Sequence, residues 1–151
     1  MKRIVIIFHS QTGKTARLAE ALAEGAQSIE GVQVRIKRAQ EATAEDLLWA
    51  DGIALATPEN FGYMSGMLKD FFDRTFYAVG ESLGRKPYVL VISAGNDGTG
   101  AQKAVERILL GWRLRPVADV VISRGEPTEE SLATCFEVGA TLAAGCALGI
   151  F

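Results

Sequence analysis

The sequence predicts an α/β fold in three layers, a doubly wound parallel sheet of five strands with helices on both faces. Short β-branched runs alternate with longer stretches of helical period, the pattern left when a helix joins each parallel strand to the next. Three of the strand-like runs are almost wholly apolar, as strands covered on both faces must be. At 151 residues and 48% hydrophobic content, the chain has the size and core-forming capacity of one domain, residues 1–151.

The first strand is read at Arg3 to Phe8. The second, Val32 to Lys37, alternates Val32, Val34 and Ile36 with Gln33, Arg35 and Lys37, which marks a half-exposed edge. The third runs from Gly52 to Ala56 and the fourth from Tyr88 to Ser93. The fifth, Val117 to Ile122, follows Pro116, whose missing N–H does no harm there. Leu18, Leu22, Ala26 and Ile29 give the first helix an apolar stripe, and Glu45 to Ala50 forms a short amphipathic connection between strands two and three. Met64, Met67, Leu68, Phe71 and Phe72 give the next helix a heavier stripe. Val105, Ile108, Leu109 and Trp112 mark the helix after strand four. A terminal helix follows Thr128, an N-cap with Glu129 and Glu130 behind it, and buries Leu132, Cys135, Gly139, Leu142 and Cys146. Cys135 and Cys146 then lie about 16 Å apart on one helix, too far to bridge, and read as small core residues.

Sixteen Lys plus Arg against eighteen Asp plus Glu leave a formal charge of -2, without the basic excess that nucleic-acid binding draws on. No apolar run approaches the roughly 20 residues of a membrane span, and the first strand is too short for a signal-peptide core. A cytoplasmic protein is expected. No internal repeat, linker or low-complexity segment interrupts the pattern.

Chemistry concentrates in the loops. After strand one comes Ser10-Gln11-Thr12-Gly13-Lys14-Thr15, leading into a helix rich in alanine and leucine. Strand, hydroxyl-rich turn and helix start together build an anion site, because unpaired amides and the positive helix end converge on a phosphate and hydroxyls add donors. Gly13-Lys14-Thr15 also ends a triphosphate-binding P-loop. That motif needs a glycine five residues earlier, where this chain has Phe8, and no strand ends in an acidic residue placed for magnesium. A merely capped helix start is the plainer alternative.

The phosphate loop resembles the S/T-x-T-G-x-T loop of flavodoxins and their relatives, which wraps the phosphate of flavin mononucleotide (FMN). The segment Thr57-Pro58-Glu59-Asn60-Phe61-Gly62-Tyr63-Met64, with Lys69, Phe71, Asp73 and Arg74 behind it, resembles the second loop and following helix of flavodoxin-like NAD(P)H-dependent flavin and quinone reductases. A third loop, Ser93-Ala94-Gly95-Asn96-Asp97-Gly98, falls where that family places its other turn against the isoalloxazine ring. The resemblance implies a flavodoxin-like sheet of order 2-1-3-4-5 with a ligand at the carboxyl ends of its strands, where the order reverses. It also implies FMN contacts from Ser10, Gln11, Thr12, Gly13, Lys14 and Thr15 to phosphate, from Thr57 to Tyr63 beside the ring, and from Ser93 to Gly98 at its pyrimidine edge.

Phe71, Phe72 and Phe76 suit packing, whereas Phe61 and Tyr63 lie in a loop and suit contact with the flavin or a subunit neighbour as well as they suit simple packing. Trp112 is read as core or as a more distant ring neighbour, and His9 as a contact just outside the cofactor. Function divides between an enzyme and a carrier. The enzyme would be an FMN-dependent NAD(P)H oxidoreductase reducing a quinone or other small acceptor. The carrier would be a flavodoxin-type electron shuttle docking to a redox partner protein. Balanced charge, with Lys69, Arg74, Arg85 and Lys86 expected around the loop edge, favours the enzyme. A homodimer or tetramer with Phe61 or Tyr77 at the interface is compatible with the resemblance.

Overall fold

The computed structural model describes residues 1–151. Its elements are β1 (Lys2–Phe8), α1 (Lys14–Gln27), β2 (Val32–Arg38), α2 (Ala44–Trp49), β3 (Gly52–Asn60) and β4 (Tyr63–Met64). They continue with α3 (Gly66–Val79), β5 (Pro87–Ala94), α4 (Thr99–Gly111), β6 (Arg115–Pro116), β7 (Val121–Arg124) and α5 (Glu129–Ala147). The sheet path is β2-β1-β3-β5-β6, with β7 also on β5 and every pairing among them parallel. Once the two-residue β4 is set aside and β6 and β7 are counted as one interrupted strand, this is the expected 2-1-3-4-5 order.

Strand alternation sorts the side chains onto two faces. Val5, Ile7, Ile53, Leu55, Leu90 and Ile92 pack against α2, α3 and α4 through Leu47, Leu68, Phe71, Val105 and Leu109. Ile4, Ile6, Ala54, Ala56, Val89 and Val91 face α1 and α5 through Leu18, Leu22, Cys135 and Leu142. The small alanines on the second face let those two helices sit close. At their crossing, a β-carbon on Gly25 would lie 1.9 Å from the Phe136 carbonyl oxygen, and one on Gly139 2.1 Å from that of Leu22. Only glycine permits this approach.

Three expectations need correction. The fifth strand does not run unbroken from Val117 to Ile122: Tyr88 pairs with Pro116 but Val91 with Val121, so the outer chain carries two extra residues and loops out between β6 and β7. Pro116 does not cause the break: Arg115 and Val117 on either side of it still donate to the Lys86 and Tyr88 carbonyls at 3.0 and 3.1 Å, and the chain leaves β5 only after Val117. Strand three runs four residues past Ala56 and turns back as a hairpin, so Met64 lies in β4 while α3 begins at Gly66. Met67 lies off the apolar stripe and is 43% exposed.

The edge strand β2 is tied down by charge. Asp46, 2% exposed, accepts from Arg35 at 2.7 Å and from the Thr43 amide at 2.8 Å, while Arg35 lies 4.0 Å over the Trp49 ring. The carboxylate is thereby both paired and bonded, as a buried charge must be.

Candidate functional site

The loops after β1, β3 and β5 meet at the carboxyl edge of the sheet. Gln11, Thr12, Lys14, Thr15, Pro58, Glu59, Asn60, Ser93, Ala94 and Gly95 line a common cleft of about 150 Å³. Residues separated by more than eighty positions in the chain are thus neighbours.

The first loop is organised around Gly13, whose φ of 99° suits glycine and from which α1 starts. Ser10 Oγ accepts the Gly13 amide at 3.1 Å, closing the turn. The first intrahelical bond of α1 is donated by Arg17 to the Gly13 carbonyl. The amides of Lys14, Thr15 and Ala16 therefore have no intrahelical acceptor, as at any helix start. No side chain caps them. Thr15 is only 2% exposed yet lines the cleft. Free amides, hydroxyls and a positive helix end in one concavity fit a phosphate monoester. Lys14 is not aimed solely at the cleft: its ammonium lies 3.7 Å from Glu126.

In the second loop Asn60-Phe61-Gly62-Tyr63 makes a two-residue hairpin, with φ 54° at Phe61 and 71° at Gly62, the signs a type I′ turn requires. Phe61 is fully exposed at its tip. Thr57 does not face the cleft. It is buried, accepts the Ser65 amide at 3.1 Å and donates to the Pro58 carbonyl, pinning the hairpin to the start of α3, where Ser65 caps Leu68 at 3.2 Å.

Glu59 has a role that sequence did not disclose. Its carboxylate accepts the Gly98 amide at 2.9 Å and the Ala101 amide at 3.0 Å, capping α4 and binding the second loop to the third. Close backbone contact reinforces the link, since a β-carbon on Gly100 would fall 2.1 Å from the Gly62 carbonyl oxygen. Gly98, φ 88°, faces Ile122 with no room for a side chain. Arg124 was also missed. Its guanidinium donates to the Asn96 carbonyl at 2.7 Å and the Asp97 carbonyl at 3.0 Å, holding the third loop open, while the Asp97 carboxylate takes the Thr99 hydroxyl. Position at the end of the last strand was the available signal.

The expected cationic rim does not form. Lys86 precedes β5 and so lies at the amino edge, where its ammonium reaches the Leu47 and Leu48 carbonyls. Arg85 is at the same edge, and Arg74 is consumed by the Ala39 and Ala42 carbonyls. Trp112 is core: it stacks on Phe76 at 5.4 Å and donates to the Phe76 carbonyl at the far end of α4. His9 follows β1 with Nδ1 buried and unpartnered, and burial, then the charge of Arg38, pushes its pKa down, so the ring stays neutral at pH 7.

Residues 2–127 match the model of a family described as NADPH-dependent FMN reductase. This chain belongs to that family. Among curated relatives, this family member is 36% identical to a flavodoxin of Aquifex aeolicus across 95% of the chain and 86% of the relative. It is 35% identical to an NAD(P)H dehydrogenase (quinone) of Acidithiobacillus ferrooxidans, across 65% of the chain and 60% of that protein. A solved flavodoxin from the domain Archaea superposes with a TM-score of 0.86 at 21% identity, covering 96% of the chain and 99% of its own, a likeness of fold.

Proposed function

We propose that this member of an FMN-binding family is an FMN-dependent NAD(P)H oxidoreductase that passes electrons to a quinone or another small acceptor. One observation carries the reading: three loops distant in sequence close on one cleft whose phosphate-sized floor is left with free amides and hydroxyls. Thr12, Lys14, Thr15 and the amides opening α1 would hold the phosphate, with Gln11 beside them and Ser10 and Gly13 fixing the turn. The cleft is too small to enclose a tricyclic ring. The ring would lie across its rim, between the hairpin residues Pro58, Asn60, Phe61, Gly62 and Tyr63 and the pyrimidine-edge residues Ser93, Ala94, Gly95, Asn96 and Asp97. When bound, the flavin supplies hydride and electron transfer. Thr57, Glu59 and Gly98 hold these loops in register. Two separated, buried thiols suit a reducing compartment, the cytoplasm.

The relative named a flavodoxin supports a second reading, an electron carrier without a substrate of its own. Anaerobic mixing of the flavin-loaded protein with NADH or NADPH separates the two. Bleaching of the flavin band within seconds is expected. A band that persists, together with chemical reduction halting after one electron, would establish the carrier instead. The loop assignment has its own test: Thr12→Ala with Gly13→Val leaves the purified protein unable to quench FMN fluorescence, and quenching equal to wild type would refute it.

A further inference from the structure

A second concavity, about 750 Å³, runs between α3 and α4 and begins at Tyr63, at the base of the hairpin. Its volume lies in the range of small-molecule sites, roughly 300–1,000 Å³. The floor is apolar, made by Phe72, Phe76 and Ile108. Its walls carry three cations, Lys69, Lys103 and Arg107, against one carboxylate, Asp73, which Lys69 already engages at 2.5 Å. Lys103 and Arg107 have no carboxylate within 4 Å, although the whole chain is net acidic. Standing four residues apart on α4, they present their charges side by side. Tyr77, 91% exposed and set edge-on to Phe76 at 5.4 Å, walls the far end.

An apolar floor edged by the exposed Tyr77 ring and two adjacent unpaired cations fit an aromatic base bearing a phosphate, because rings stack on aromatic side chains and guanidinium matches phosphate oxygens. Arg107 lies eight residues beyond Thr99, so its charge stands roughly 12 Å down the helix from the flavin loops. An extended dinucleotide spans that distance. We propose that the groove between α3 and α4 holds the adenosine end of the reducing dinucleotide, with Lys103 and Arg107 taking the 2′-phosphate that distinguishes NADPH from NADH. The assignment rests on the reductase reading above and adds to it the groove and the two side chains that would read the 2′-phosphate.

Two measurements test it on the flavin-loaded protein. Calorimetric titration with adenosine 2′,5′-bisphosphate should show binding at least tenfold tighter than with 5′-AMP, and Lys103→Ala/Arg107→Ala should abolish the difference. In steady-state reduction the same double variant should lower the ratio of kcat/KM for NADPH over NADH at least tenfold. Arg85→Ala/Arg113→Ala, which removes the same charge at the opposite edge, should not move that ratio. Equal binding of the two nucleotides, or a discrimination that survives in the groove variant, overturns the proposal while leaving the reductase reading intact. So does sedimentation showing the groove closed within a dimer that Lys103→Glu/Arg107→Glu dissociates. If neither dinucleotide reduces the flavin but the bisphosphate still binds and is lost in the variant, the reductase reading fails and the groove remains an adenosine-phosphate site.

Discussion

Glu59 offers the sharpest quantitative test of how the site is held. Its two oxygens accept separate amides, those of Gly98 and Ala101, at the positive end of α4. Hydrogen bonds to a charged group contribute about 1.5–3 kcal/mol each, and truncation leaves the donors bare. Glu59 is only partly buried, so water can serve the freed amides and the lower end applies: about 3 kcal/mol for Glu59→Ala. In a chain of this length that lowers Tm by about 6–12 °C. Glu59→Gln keeps one good acceptor oxygen and should lose roughly half as much. Because the same bonds join two loops of the cleft, Glu59→Ala should also weaken FMN, by up to about tenfold if 1.4 kcal/mol of loop positioning is lost. The assays are thermal melts of the flavin-free protein followed by fluorescence titration with FMN. A flavin-free Glu59→Ala within about 0.5 kcal/mol of wild type would show that the Gly62–Gly100 contact alone joins the loops, and the assigned role would fall.

Gly139→Ala places a methyl group against the Leu22 carbonyl and forces α1 from α5; urea denaturation should show a loss of about 2–3 kcal/mol, and an unchanged midpoint would contradict the packing described. Phe61→Gly removes a left-handed residue that buries nothing, so stability should rise by about 1 kcal/mol, read in urea melts; a destabilised variant would mean that Phe61 is packed in solution. Burial pushes the Cys135 thiol up to about 11 from 9.0. The folded state then holds the proton more tightly than the unfolded chain, so this stabilisation is complete below pH 9 and is lost as pH rises toward 11. It amounts to at most about 3 kcal/mol, and in urea melts Cys135→Ala should flatten the alkaline decline, an unaltered slope counting against the assignment.

Much of this molecule is local and could be read locally. β1, its hydroxyl-rich turn and α1 are contiguous, so strand hydrophobicity, Gly13 and the helix start together announce an anion site. The inner strands were legible because burial on both faces leaves unbroken apolar runs, and the strand order followed from family resemblance. The hairpin was hidden because its turn puts Phe61, rather than Asn or Asp, at a position requiring positive φ, which masks the usual signal. The cations were misplaced although the information was present: Arg85 and Lys86 precede a parallel strand, which fixes them at the amino edge.

From the chain alone came the alternation of strands and helices, the apolar inner strands and the three loops in which ligand chemistry is expected, since each depends on residues close in sequence; the division of the core between the two faces of the sheet came from the structure. Tertiary structure decided what locks those loops together: Glu59 acting 39 and 42 residues away, Gly100 against Gly62, and Arg124 on the carbonyls of Asn96 and Asp97. It also brought Lys103 and Arg107 beside Tyr63 and Tyr77 in a groove that neither helix forms alone. Periodicity tells which face of a segment is buried; which carboxylate meets which amide is fixed only when separate segments pack and every buried donor must find its acceptor.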